Sequence, residues 1–231
     1  MKIARLGEGP ELFYSLQGEG VSMGRPSVFL RLALCNLQCS WCDTAYSWKW
    51  KPGEKERHVV DWPEKRIAEE IRSFPVKHVV VTGGEPLLQQ EALIRLCVLL
   101  PGYTFEIETN GTLVPDERLD SFIGQYNVSP KLGHSGNASA RSLVPESLEW
   151  FAVSPKAWFK FVVGDPADVD EVQSLQDRYG MSCDRVLLMP KGTTSGELTV
   201  VRSWLADECL KRAYRLTDRL HVHLWGSRPG V

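Results

Sequence analysis

Apolar and polar positions follow two rhythms along this chain. Short β-branched or aromatic runs are separated by longer segments whose apolar residues recur every third or fourth position. The first kind predicts strands at 27–34, 78–82, 104–108, 126–129, 157–163, 185–188 and 220–223. The second predicts helices at 63–74, 87–100, 116–123, 167–179 and 199–212. In the first of these helices Pro63 stands at the start, and Ile67, Ile71 and Phe74 share one face, which would pack on a sheet. Strands alternating with such helices form βα units around a parallel sheet. About six units are present, short of a closed barrel. The expected fold is therefore α/β, an incomplete (β/α) barrel formed by a single domain over residues 1–231, a length that supports one substantial core.

In parallel α/β architectures the loops at the strands' C-terminal ends build the site, and the polar motifs of this chain fall there. After the first strand comes Cys35-Asn36-Leu37-Gln38-Cys39-Ser40-Trp41-Cys42. Soft sulfur ligands suit iron–sulfur centres, and three thiolates on one loop can bind three irons of a 4Fe–4S cluster. The fourth iron is then open to a substrate or cosubstrate. A structural zinc site is the alternative, but it wants four ligands, and Cys183 and Cys209 are isolated while the C-terminal histidines lie far away. Cys97, inside an apolar run, reads as core packing. A disulfide framework does not suit a chain of this length without a secretion signal. A zinc-holding interaction module without turnover remains the rival from another class.

Thr82-Gly83-Gly84-Glu85-Pro86 follows the second strand. Its glycines would let a ligand approach the backbone, and Glu85 offers a carboxylate suited to an ammonium group. The same residues also read as a plain turn before a helix-starting proline. Glu108, Asn110 and Ser129 offer polar contacts from neighbouring strand ends, although Asn110-Gly111 equally reads as a turn. Residues 130–145, rich in Gly, Ser and Asn, form the one long irregular stretch.

Composition narrows the partners. A formal net charge of −2 with no basic stripe argues against nucleic acid as a direct partner. Residues 1–10 mix charges with glycine, and no apolar run is long enough to span a bilayer, so a cytoplasmic protein in a reducing compartment is expected, with no membrane association. Trp48 and Trp50, two of eight tryptophans, read as surface or lid residues.

The CxxxCxxC after the first strand and the GGEP after the second together resemble the radical S-adenosylmethionine (SAM) superfamily, whose members are partial or complete (β/α) barrels. The resemblance implies that Cys35, Cys39 and Cys42 hold a 4Fe–4S cluster and that SAM chelates the open iron. Gly84 and Glu85 would meet the SAM amino group and Ser129 its carboxylate, with Glu108 and Asn110 also on the cofactor side. Three further stretches, Phe13-Tyr14-Ser15-Leu16-Gln17-Gly18-Glu19-Gly20, Cys42-Asp43-Thr44 and His221-Val222-His223-Leu224-Trp225-Gly226, are similar to the 7-carboxy-7-deazaguanine synthase family. That family converts 6-carboxy-5,6,7,8-tetrahydropterin to 7-carboxy-7-deazaguanine with ring contraction and loss of ammonia, on the route to queuosine and related deazapurines. By resemblance, SAM would be cleaved by one electron to methionine and a 5'-deoxyadenosyl radical, which takes hydrogen from C6 of the pterin and later returns it.

The same resemblance implies Mg2+ at Thr44, a flavodoxin-like or ferredoxin-like electron donor and a homodimer. It places Leu16, Gln17, Gly18, Glu19, Arg31, Thr82, His221 and Val231 on the substrate. The residues suit these roles. Gln17 and Glu19 can read the guanidine-like edge of a pterin through paired hydrogen bonds. Arg31 alternates with Leu30 and Leu32, so it would face the barrel interior and present a fork to the substrate carboxylate. Thr44 is a hard oxygen ligand that suits magnesium, and a lone threonine also reads as a cap. His223, on the same expected strand face, competes with His221, and either also reads as a core histidine. One departure stands out: many relatives end Arg-Gly-Val after the Trp-Gly turn, whereas this chain reads Gly226-Ser227-Arg228-Pro229-Gly230-Val231. The extra proline leaves the placement of Arg228 and Val231 open. A glycyl-radical activase is the rival within the superfamily, but it must admit a protein loop and does not account for the Gln17–Glu19 segment. Cys183 and Cys209 receive no role.

Overall fold

A computed structural model describes residues 1–231. Seven strands run parallel in the spatial order β4 (Pro26–Leu32), β6 (His78–Gly83), β7 (Thr104–Thr109), β8 (Ile123–Val128), β9 (Ala157–Val163), β10 (Val186–Pro190) and β11 (Arg215–Leu216). Antiparallel strands extend the β4 side. There β3 (Leu12–Leu16) pairs with β4 along its whole length, and β1 (Lys2–Leu6) joins β4 to β5 (Val59–Asp61) and to the short β2 (Gly9–Pro10). The helices are α1 (Lys55–His58), α2 (Glu64–Arg72), α3 (Gln90–Leu99), α4 (Glu117–Asp120), α5 (Ser139–Ser142), α6 (Pro145–Val153), α7 (Pro166–Tyr179), α8 (Ser195–Arg212) and α9 (Leu220–Trp225). The sheet is curved but not closed, an incomplete (β/α) barrel as the periodicity predicts. No helix is long and apolar enough to cross a membrane.

Side-chain alternation divides the strands into two faces. Leu30 and Leu32, Val79 and Val81, Phe105 and Ile107, Tyr126 and Val128, Phe159 and Phe161, and Val186 and Leu188 all join the apolar core beneath the helices. The opposite face carries Arg31, Thr82, Glu108, Asn127, Lys160 and Met189, which line a single cavity. α2 shows how a helix covers the outer face: Ile67, Ala68 and Ile71 are fully buried. Each buried isoleucine contributes roughly 1.5–3 kcal/mol.

Several expected elements differ from those observed. Residues 220–223 form helix, not strand. The alternation in His221-Val222-His223-Leu224 suggested period two, but the segment lies off the sheet, with Leu220 N–H bonded to Gly18 O at 2.9 Å and Val222 alone buried. The helix expected at 116–123 is a single turn capped by Asp116, because Ile123 already pairs with Phe105 in the sheet. α8 starts earlier than residue 199, at a capping box in which Thr194 and Glu197 satisfy each other's backbone N–H groups. The N-terminal strands β1, β3 and β5 were not anticipated. The irregular stretch at 130–145 contains a 3-10 turn (Gly133–Ser135) and the short α5.

Candidate active site

The cysteine loop leaves β4 through a constrained residue. Leu34 has φ +79°, a left-handed conformation that costs a branched side chain roughly 1–2 kcal/mol. Two bonds hold it there: Leu34 N–H to Ser47 O at 2.9 Å, and Glu85 N–H to Leu34 O at 2.8 Å. The second explains the glycine pair. A Cβ on Gly84 would sit 1.9 Å from Leu34 O, and one on Gly83, itself at φ +132°, would sit 2.1 Å from Leu32 O. The glycines therefore let the ends of β4 and β6 touch, rather than simply opening the backbone to a ligand as expected from sequence.

Glu85 also departs from expectation. It is fully buried, and its carboxylate accepts from Leu87 N–H (3.0 Å), Asn110 N–H (2.7 Å) and the Thr109 hydroxyl (2.8 Å). Burial pushes its pKa up against these bonds. The group does not line the cavity and is not offered to an ammonium ion. It braces the GGEP loop against the end of β7.

Cys35, Cys39 and Cys42 are half-buried free thiols that line one cavity of about 810 Å³. Gly83, Gly84, Thr82, Glu108, Asn110 and Ser129 line it too, as do Leu16, Gln17, Gly18, Glu19, Arg31, Thr44, His221 and Val231. Apart from Glu85, every site residue expected from sequence is brought together there. No three His, Cys, Asp or Glu side chains converge on a single-ion position. The cysteines instead flank an open space, the arrangement a cluster needs when each sulfur binds a different iron. Each sulfur meets a protein donor: Cys35 the Leu37 N–H at 3.4 Å, Cys39 the Asn137 amide at 3.3 Å and Cys42 the Trp48 indole at 3.3 Å. The residues present thus fit a 4Fe–4S cluster, and the cavity is within the range that takes drug-sized ligands.

Many of the polar groups are already engaged. Gln17 donates to Glu106 (2.8 Å) and Glu108 (3.1 Å), and Glu19 N–H donates to the Gln17 side-chain oxygen (3.2 Å). Gln17 therefore anchors the Leu16–Glu19 segment to the barrel interior. Glu106, fully buried, is also bonded to Asn127 and His78. Thr82 donates to Glu108 at 2.7 Å. Asn110 donates to Asn36 at 2.9 Å and accepts from Thr112, which holds the loop after β7. Arg31 faces inward as expected, with Nε on Glu11 at 2.7 Å. Burial opposes its charge, but Glu11 outweighs that and raises its pKa, and its terminal nitrogens are left for a ligand.

Four charges form a chain along the cavity wall. Glu19 is paired with Lys160 and with Arg219 (3.0 Å), and Arg219 also pairs with Asp43, next to Cys42. Burial pushes Glu19 up, but attraction to Lys160, then Arg219, wins and holds its pKa well below the usual carboxylate range. His221 is lowered, chiefly by burial. Within the α9 helix His221 and His223 point to different sides: His221 lines the cavity beside Gly18, while His223 is bonded to Asp218 and Arg202. Of the two histidines, His221 alone lines the cavity. Val231 also lines the cavity, and Arg228 does not.

No site role was expected from sequence for Lys160, Arg219, Asn137, or for Asp43 and Lys131 inside their motifs, and Trp48, expected as a surface or lid residue, is half-buried. Lys131 donates to Ser129 Oγ at 2.9 Å. Strand alternation in Ala157–Val163 was a usable signal for Lys160, a lone charge in an apolar run.

A partial barrel with a three-cysteine loop after its first parallel strand, opening on a cavity of this size, defines a radical SAM enzyme. Residues 32–133 match the Radical SAM superfamily. The chain is 41% identical to the 7-carboxy-7-deazaguanine synthase of Pyrobaculum aerophilum over 95% of both chains, and 39% identical to that of Halobacterium salinarum over 96% of this chain and 94% of the other. The crystal structure of QueE from Escherichia coli superposes with a TM-score of 0.69 at 26% identity, covering 96% of this chain and 95% of that one. The chain belongs to the 7-carboxy-7-deazaguanine synthase family. Its cofactors are a 4Fe–4S cluster and SAM.

Proposed function

We propose that the cavity binds 6-carboxy-5,6,7,8-tetrahydropterin beside SAM and converts it to 7-carboxy-7-deazaguanine with release of ammonia. The observation that carries this reading is the convergence of Cys35, Cys39 and Cys42 with Arg31, Glu19 and His221 on one cavity. When bound, the cluster and SAM supply the one-electron chemistry that begins the reaction. The chain supplies position and charge. Arg31 meets the substrate carboxylate with its terminal nitrogens, while Glu11 holds its Nε. Glu19, kept ionised by Lys160 and Arg219, accepts from the amino-pyrimidine edge of the pterin. His221, whose pKa is lowered chiefly by burial, donates or accepts a single hydrogen bond. Ser129 with Lys131 beside it receives the SAM carboxylate, and the backbone at Gly83 and Gly84 receives its amino group.

Thr44, 3.7 Å from Cys42 Sγ at the cavity wall, is the proposed protein ligand of Mg2+, with substrate oxygens and water completing the shell. A flavodoxin-like or ferredoxin-like protein as reductant, a homodimeric assembly and a cytoplasmic location complete the reading.

The test is a mass spectrum of an anaerobic reaction of reconstituted protein with SAM, Mg2+, a low-potential reductant and the pterin. A SAM-dependent product lighter than the pterin by ammonia, lost in Cys39→Ala, supports the reading. An intact pterin beside 5'-deoxyadenosine would reject this substrate.

A further inference from the structure

Trp48, expected as a surface or lid residue, and Asn137, with no role expected, each direct an N–H at a sulfur of the cysteine triad. Trp48 Nε1 is 3.3 Å from Cys42 Sγ, and an indole N–H is a donor only, so its role in this contact is unambiguous. Asn137 Nδ2 is 3.3 Å from Cys39 Sγ. Its amide orientation is fixed from the other end, because Gln38 N–H donates to Asn137 Oδ1 at 2.9 Å. Gln38 is Cys39's neighbour, so the Asn137 side chain clamps the loop and the sulfur together. The two donors come from separate parts of the fold, one from the segment after the 3-10 turn Ala45–Ser47 and one from the loop after β8.

We infer that Trp48 and Asn137 set the reduction potential of the 4Fe–4S cluster. The inference rests on the cysteine triad holding that cluster and is independent of which substrate the cavity takes. Reduction places one more electron on the cluster and its sulfurs, and an N–H donor stabilises the more negative sulfur more strongly. Both donors therefore ease reduction, and removing either moves the midpoint to a more negative value. They are positioning residues: they touch the ligand sulfurs and need no contact with substrate.

The test is an EPR-monitored redox titration of anaerobically reconstituted parent protein, Trp48→Phe and Asn137→Ala, each with iron and sulfide content measured. Trp50→Phe is the control, because Trp50 Nε1 donates to Tyr46 O at 2.7 Å and to no sulfur. The expected result is normal cluster content in both variants and at least a threefold drop in the reduced-to-oxidised ratio at a fixed potential, roughly 30 mV at ~59 mV per decade, with Trp50→Phe unmoved. Midpoints equal to the parent's, an equal shift in Trp50→Phe, or loss of the cluster from both variants would overturn the inference. A parent that takes up no 4Fe–4S cluster would overturn the cluster reading itself, a different failure.

Discussion

Lys160→Met isolates the charge chain along the cavity wall. Lys160 and Glu19 are 8% and 15% exposed, so the pair is largely shielded from water. Removing one partner of a buried pair costs about 3–5 kcal/mol, and a single charge-assisted hydrogen bond about 1.5–3 kcal/mol. Glu19 keeps its bond to Arg219, and the adjoining cavity admits water to the freed oxygen. Both facts favour the lower range, so the expected loss is about 2–3 kcal/mol, or roughly 4–12 °C in Tm for a domain of this size. The assay is thermal and urea unfolding of the parent, Lys160→Met, Glu19→Gln and the double variant. In the double variant no carboxylate is left uncompensated, so it should lose at least ~1 kcal/mol less than the two single losses combined. Strict additivity, or a Lys160→Met melt within a degree of the parent, would refute the idea that these charges hold one another in place.

Gly84→Ala should cost several kcal/mol and reduce iron and sulfide per chain, since its Cβ would meet Leu34 O at 1.9 Å and displace the start of the cysteine loop; a normally loaded, normally stable variant would contradict the contact. Stability should fall as pH drops in two steps. His221 has a lowered folded pKa, so the unfolded state binds its proton first and stability is lost from about pH 6.5 downward. Glu19 is likewise lowered, adding a second loss below about pH 4.5 that Glu19→Gln should flatten in urea titrations run at successive pH values. Thr194→Ala removes the cap of α8 and should cost about 1 kcal/mol in urea unfolding while leaving SAM binding, measured by calorimetry, unchanged.

The parallel core was legible because its strands are short apolar runs at strand ends marked by Cys, Gly or Asn, and Ala157–Val163 was bounded to the residue. β1 and β3 were not, because Arg5 and the Gly-rich turn at 7–9 break their pattern and their pairing depends on β4 and β5. The expected site residues were reached by motif, and all but Glu85 line the cavity. Spacing alone did not distinguish a carboxylate aimed at a ligand from one folded back onto Leu87, Thr109 and Asn110, since both follow a GG turn. Arg219 and Asn137 were missed because each acts through a partner far away in sequence, and no local pattern encodes such a pair. Lys160 did stand out as a lone charge in an apolar strand, and Trp48 meets Cys42 only six residues away. His221 and His223 show the cost of a wrong period: assigned to a strand they share a face, and in the α9 helix they part.

The wall formed by residues 217–221 is fastened to the opposite end of the chain, through Gly20 N–H to Thr217 Oγ1 (2.9 Å), Arg219 to Glu19 and Leu220 N–H to Gly18 O. Loosening either the Gly18–Gly20 segment or residues 217–221 therefore frees the other, because the two ends of the chain close the same side of the cavity together.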